Sequence, residues 1–135
     1  MFGNKPSKPQ TQIDSLIGAN ATIGGDLNFS GGLRVDGQVN GNVIATPGKP
    51  STLVLSEHAH VNGEVSVTHL IINGTINGSV SVSEYLELQG KARVVGDIHY
   101  KTMQIQLGAI VEGRLIHGNS EAEDRVVAFK SGSGD

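Results

Sequence analysis

His58 and His60 stand two positions apart, so on an extended chain their imidazoles share one face, with His69 following close behind. Two neutral imidazoles at that spacing are the beginning of a zinc site. No third ligand is obvious beyond Glu57, Glu64 or His69, so an exposed pair of surface histidines is the expectation. Carboxylates pair up as Glu84 with Glu87 and as Glu121 with Glu123. They fall at outward or tail positions with no apolar surround to raise a pKa, and read as solvated charges. The sequence holds no Gly-x-x-x-x-Gly-Lys-Ser/Thr loop to cradle a phosphate, and no cysteine for a disulfide, a thiolate ligand or a nucleophile. Taken together, these residues predict no catalysis, no cofactor, no metal and no nucleotide.

The 135 residues suffice for one domain with tails. A net charge of -3 offers no basic face for nucleic acid. No apolar run approaches the roughly 18 residues of a membrane span, and the N-terminus lacks the apolar stretch of a secretory signal. A cytosolic location is therefore the expectation. Tryptophan is absent and glycine is abundant, at 19 residues. Stability must then come from many Val, Ile and Leu in repeated slots, not from a few large anchors.

Those slots recur. An aliphatic residue, a spacer, a glycine, a spacer and a second aliphatic appear as Ile23-Gly24-Gly25-Asp26-Leu27, Val39-Asn40-Gly41-Asn42-Val43 and Val61-Asn62-Gly63-Glu64-Val65. They appear again as Ile76-Asn77-Gly78-Ser79-Val80, Val94-Val95-Gly96-Asp97-Ile98 and Val111-Glu112-Gly113-Arg114-Leu115. The central glycines are 16, 22, 15, 18 and 17 residues apart. The long gap contains a Pro/Gly-rich insert, Ala45 to Ser51, and removing it returns that gap to the common value. Such self-similarity signals stacked units, none of which buries its apolar face alone.

Within a unit the pattern has period two. Leu70, Ile72, Ile76, Val80 and Val82 share one parity, with Asn, Ser and Thr between them, and Leu33-Val35-Val39-Val43 repeats the scheme. Glycines 37, 41, 74 and 78 take inward slots, where the chain bends or another backbone comes close. A longer winding variant places Ala21, Ala59, Ala92 or Ala109 two residues before the motif. The Asn-Gly pairs would suit hairpins. A meander, however, would invert alternate units, and here every unit repeats one direction and one chemistry. The reading is a parallel β-helix, with ~17 residues per winding, a perimeter of roughly 56 Å and three short faces. Asn40, Asn62 and Asn77 should then stack as a side-chain ladder.

Three zones follow: a polar N-terminal tail over 1–12, the repeat over 13–116, and an acidic, Ser/Gly-ending tail over 117–135. All four prolines lie outside the repeat, in the tail or the insert, as a backbone ladder requires.

The repeat Leu-x-Val-x-Gly-x-Val-x-Gly-x-Val, wound six times between two polar tails, resembles the bactofilins, which are bacterial cytoskeletal proteins. The resemblance spans about residues 13 to 116. It implies a right-handed, three-sided parallel β-helix that self-assembles end to end into nucleotide-independent filaments. It also implies association with the cytoplasmic face of the inner membrane and scaffolding of cell-envelope and cell-shape proteins. Met1-Phe2-Gly3-Asn4-Lys5 looks like the short membrane-targeting sequence of that family, with Met1, Phe2, Lys5 and Lys8 the residues concerned.

Polymerisation follows from elementary physics as well. The first and last windings of a parallel β-helix carry unpaired backbone groups, and such edges template pairing with another chain. Monomeric solenoids cover them with a cap. Here Ile13, Leu16 and Ile17 precede the first motif, while Met103, Ile105, Ile110, Val111, Leu115 and Ile116 fill the last winding. These nine residues are the expected polymerisation interface. The alternative is a cap formed by Ile13 or by the tail segment Val126-Val127-Ala128-Phe129. Two other functions compete. Leu16 to Gly25 echoes the hexapeptide repeat of left-handed β-helix acyltransferases, for which His58, His60 or His69 would be the catalytic candidate. A binding solenoid that does not polymerise is the other.

Overall fold

The computed structural model describes residues 13–118. The expected tails lie outside the described residues, except that His117 ends the last strand and Gly118 donates its N–H to the Tyr100 carbonyl. Among the described residues there is no helix, and every strand pairing is parallel. The period-two alternation accounts for this. Each run of three to nine residues has one apolar parity to bury, and only the same run one winding away offers a matching surface.

The strands stack on three faces. The first carries Ser15–Ile17, Gly31–Val35, Ser51–Leu55, the ends of Val65–Ile72 and Val80–Leu88, and Thr102–Ile105. The second is a six-stranded sheet of Thr22–Gly24, Gln38–Asn40, His60–Asn62, Thr75–Asn77, Arg93–Val95 and Ile110–Glu112, which sets the number of windings at six. The third carries Leu27–Phe29, Val43–Ala45, the beginnings of the two long strands, Ile98–Tyr100 and Leu115–His117. Val65–Ile72 and Val80–Leu88 run on from third to first face, with a register shift between Val82 and Tyr85 where they turn the corner.

The core is a set of columns. Ile23, Val39, Val61, Ile76, Val94 and Val111 follow one another on the second face, and Leu27, Val43, Val65, Val80, Ile98 and Leu115 on the third. From Val39 to Val94 and from Val43 to Ile98 these side chains are buried. Each makes its van der Waals contacts with its own equivalents above and below, so the core needs no aromatic anchor.

One corner takes two forms, which alternate through the first five windings before the alanine form repeats in the sixth. The alanine variant closes a tight turn, with Ala21, Ala59, Ala92 and Ala109 donating to the carbonyls of Gly18, Ser56, Gln89 and Gln106. Gly37 and Gly74 form the short variant on top of such turns, where a Cβ would strike the Ala21 or Ser56 carbonyl. At the opposite corner the motif glycines form their own column. A Cβ on Gly63 or Gly78 would run into the carbonyl of Gly41 or Gly63 in the winding before it. Close backbone approach, as the pattern suggested, is what selects glycine here. The residue after that glycine clamps the same corner: Asp26, Asn42 and Asp97 accept the N–H of Asn42, Glu64 and Arg114 one winding on.

Candidate functional site at the two terminal windings

In a column of stacked windings, every inward residue is covered twice except at the ends. Leu53, Leu55 and Val61 are essentially inaccessible, whereas in the last winding Ile105 is 49% and Leu115 43% exposed. Met103 and Val111 beside them are partly buried. Met103 and Ile105 continue the columns of Leu86 and Leu88, and Val111 and Leu115 those of Val94 and Ile98. At the other end Ile17, Ile23, Leu27 and Phe29 are the partly buried beginnings of their columns. Both end surfaces therefore present apolar slots of the same shape as the interior.

The charges around these slots are already engaged. At the last winding Arg114 binds the Asp97 carboxylate at 2.8 Å and Glu112 takes Arg93 at 2.9 Å, each pairing back to the fifth winding. The hydrogen bond from the Arg114 guanidinium, followed by that from its backbone N–H, holds the Asp97 carboxyl below its ordinary range; the same pairing raises Arg114. At the first winding Asp14 accepts the Gly32 N–H and Asp26 that of Asn42. The charges at the last winding are thus paired within the chain, whereas the two carboxylates at the first are hydrogen-bonded to backbone only.

The nine residues expected to form the interface divide by direction. Ile17, Met103, Ile105, Val111 and Leu115 lie on inward parity at the ends of columns. Leu16 pairs with Arg34, Ile110 with Arg93 and Ile116 with His99, so these three share the outward parity of charged and polar residues and point off the sides. Ile13 precedes the first strand and is exposed. Leu107, on the turn of the last winding, is 99% exposed. Met1, Phe2, Lys5 and Lys8 lie outside the described residues.

The histidines do not gather. His58 and His60 are exposed, and His58 meets Glu57 at 3.5 Å, a carboxylate that Lys91 also holds and keeps below its usual range. His69 lies on the first face, buried, with Nδ1 3.2 Å from the Ser51 carbonyl. A carbonyl only accepts, so Nδ1 donates in this contact, and Nε2 meets no hydrogen-bond partner. No group of three metal-binding side chains occurs among the described residues. The carboxylates are spoken for in a similar way: Glu84 faces Lys101, and Glu87 accepts from Tyr85 and Gln89. Burial, and then Glu87, raises the Tyr85 hydroxyl above its ordinary value.

Sequence reading missed the buried polar cluster of Ser51, Thr52 and His69. A signal for it exists. Inward parity runs through Val65 and Val67 but resumes at Leu70 and Ile72, so Thr68-His69 marks a corner.

Comparison with known proteins adds to this geometry. A family profile described as bactofilin, polymer-forming cytoskeletal, matches residues 15–116. The chain is 30% identical over 108 residues to bactofilin BacP of Myxococcus xanthus (strain DK1622), covering 80% of this chain and 43% of BacP. It is 26% identical over 102 residues to bactofilin BacO of the same organism, covering 76% of this chain and 78% of BacO. The chain thus spans less than half the length of BacP. No solved structure matches it significantly.

Proposed function

The chain belongs to the bactofilin family of polymer-forming cytoskeletal proteins, and from that membership we propose that it works by self-assembly. Terminal windings of successive copies meet end to end and build a filament without nucleotide. The observation that carries this reading is the exposure of Ile105 and Leu115 at the end of columns that are otherwise buried.

Magnitudes say what the contact must contain. Covering one half-exposed aliphatic is worth on the order of 1 kcal/mol. Association costs about 4–15 kcal/mol in lost freedom. Four or five slots alone give a weak contact, so the strand edges of the terminal windings must pair as well. Edge pairing aligns the slots, and the slots exclude water from the edge hydrogen bonds.

The role that follows is a scaffold without catalysis of its own, located in the cytoplasm and holding cell-envelope or cell-shape proteins in a line. Met1, Phe2, Lys5 and Lys8 would bring the filament to the inner membrane. Phe2 supplies about 2 kcal/mol by burial and each lysine roughly 1 kcal/mol at an anionic surface. One tail is a marginal anchor, and many tails on one rigid filament bind with avidity.

Negative-stain electron microscopy of the purified protein in plain buffer, without nucleotide, tests the proposal. Long filaments a few nanometres wide are expected. Discrete monomers or trimers would overturn it.

A further inference from the structure

The Thr46–Pro50 loop overhangs the third face and, with the windings below it, forms a half-open groove of about 280 Å³. Ile44, Pro47 and Val67 supply its apolar wall, Ser66 and Ser81 its floor, and Lys49 its charge. At that volume it falls just below the range of sites for small organic ligands. It does suit one or two side chains of a peptide.

Three segments converge on the edge that this groove occupies. The loop leaves the third face after Ala45. The described chain starts on the same edge at Ile13 and Asp14, ahead of the first-face strand, and ends there at Gly118, directly after the third-face strand Leu115–His117. Both tails therefore begin beside the groove.

We propose that the groove holds the chain's own segment Val126-Val127-Ala128-Phe129. Reach permits it. Gly118 stands two windings beyond Ser81, and three beyond Ser66, which at ~4.8 Å per winding is roughly 10–14 Å along the axis. Residues 119–125 span up to about 23 Å when extended. Charge favours the same occupant: the C-terminal tail sets Glu121, Glu123, Asp124 and Asp135 against Arg125 and Lys130 and is acidic on balance, as suits Lys49, whereas the N-terminal tail carries Lys5 and Lys8 and no acid before Ile13. Apolar content agrees, since the N-terminal tail offers only Met1 and Phe2, at its far end. A tethered segment acts at an effective concentration in the millimolar range, which keeps the groove closed to weak competitors.

The sequence has no cysteine, so introduced thiols are the only ones present. The test compares two double variants of the full chain under mild oxidation: Ser83→Cys with Ala128→Cys at the groove, and His60→Cys with Ala128→Cys on the second face. The groove pair should close an intrachain disulfide on the order of tenfold faster than the control pair. Adding Phe129→Asp should bring it down to the control rate. Equal rates for the two pairs, a disulfide-linked dimer as the main product, or indifference to Phe129→Asp would each overturn the proposal. So would faster closure when Ser7→Cys replaces Ala128→Cys, which would give the groove to the other tail.

Discussion

Asn62 donates from Nδ2 to the Oδ1 of Asn40 at 2.8 Å, across 22 residues of sequence and one winding of the solenoid, and accepts in turn from Asn77 at 2.9 Å. Gln38 adds a lateral bond to Asn40 at 3.1 Å. Asparagine is a poor strand residue on its own. In identical slots of stacked strands it becomes a ladder whose members satisfy one another.

Asn62→Ala removes both bonds at the middle rung. A bond of this kind is worth about 0.5–1.5 kcal/mol net, toward the low end at an exposed site, so the loss should be about 1–2 kcal/mol. Asn62→Asp keeps the acceptor for Asn77 and loses the donor to Asn40, and should fall between parent and alanine. Urea unfolding checks both: the midpoint should move while the slope stays constant.

Gly63→Ala and Gly78→Ala should be among the most damaging small substitutions in the chain. The added methyl meets backbone of the preceding winding, which cannot swing aside as a side chain would. Gly48→Ala separates this collision from conformational strain. Gly48 has φ +84 and open space around it, so alanine there should cost only on the order of 1 kcal/mol. Circular dichroism melts of the three variants should rank Gly48→Ala far above the other two.

The columns Val61–Ile76 and Asn62–Asn77 were legible in the sequence because one parity rule governs six copies, and stacked copies fix their own register. The end residues were legible as apolar but not all as axial. Val111 and Leu115 share motif parity, which sends Ile110 and Ile116 to the outside; sorting by hydrophobicity alone merged the two sets. His69 was placed by sequence proximity with His58 and His60. Its burial depends on a corner where alternation breaks, and on Ser51, the last residue of an insert whose path no periodicity encodes. The groove beneath that insert was illegible for the same reason.

Stability should carry an acid dependence traceable to Asp97. Its carboxyl is held below the ordinary 3.8, first by the Arg114 side chain and then by the Arg114 backbone. A depressed folded value means that the contribution is fully present above 3.8 and is lost as pH falls through the lower folded value. Arg114→Ala should therefore lower the melting temperature slightly at neutral pH. The gap from the parent should stay constant down to the ordinary Asp range and close only below it. Both groups are exposed, so high salt should narrow the gap. Melts across pH at two ionic strengths provide the check, and a gap that widened on acidification would refute the assignment.

Val111 sits on inward parity in the last winding, with Val94 below it and, among the described residues, no winding above. Val111→Arg places a guanidinium in that open slot, where the long side chain can turn to solvent. The folded chain loses part of one covered aliphatic, so the melting temperature should drop by only a few degrees. A second copy arriving on the same surface would have to bury the charge unpaired, at several kcal/mol, against slots worth on the order of 1 kcal/mol each. Filaments should therefore vanish while the circular dichroism spectrum stays that of a β-protein. Leu107→Lys, at a side chain that is 99% exposed, gives a version with no folding cost and should shorten the filaments. Long filaments from Val111→Arg would remove the last winding from the interface.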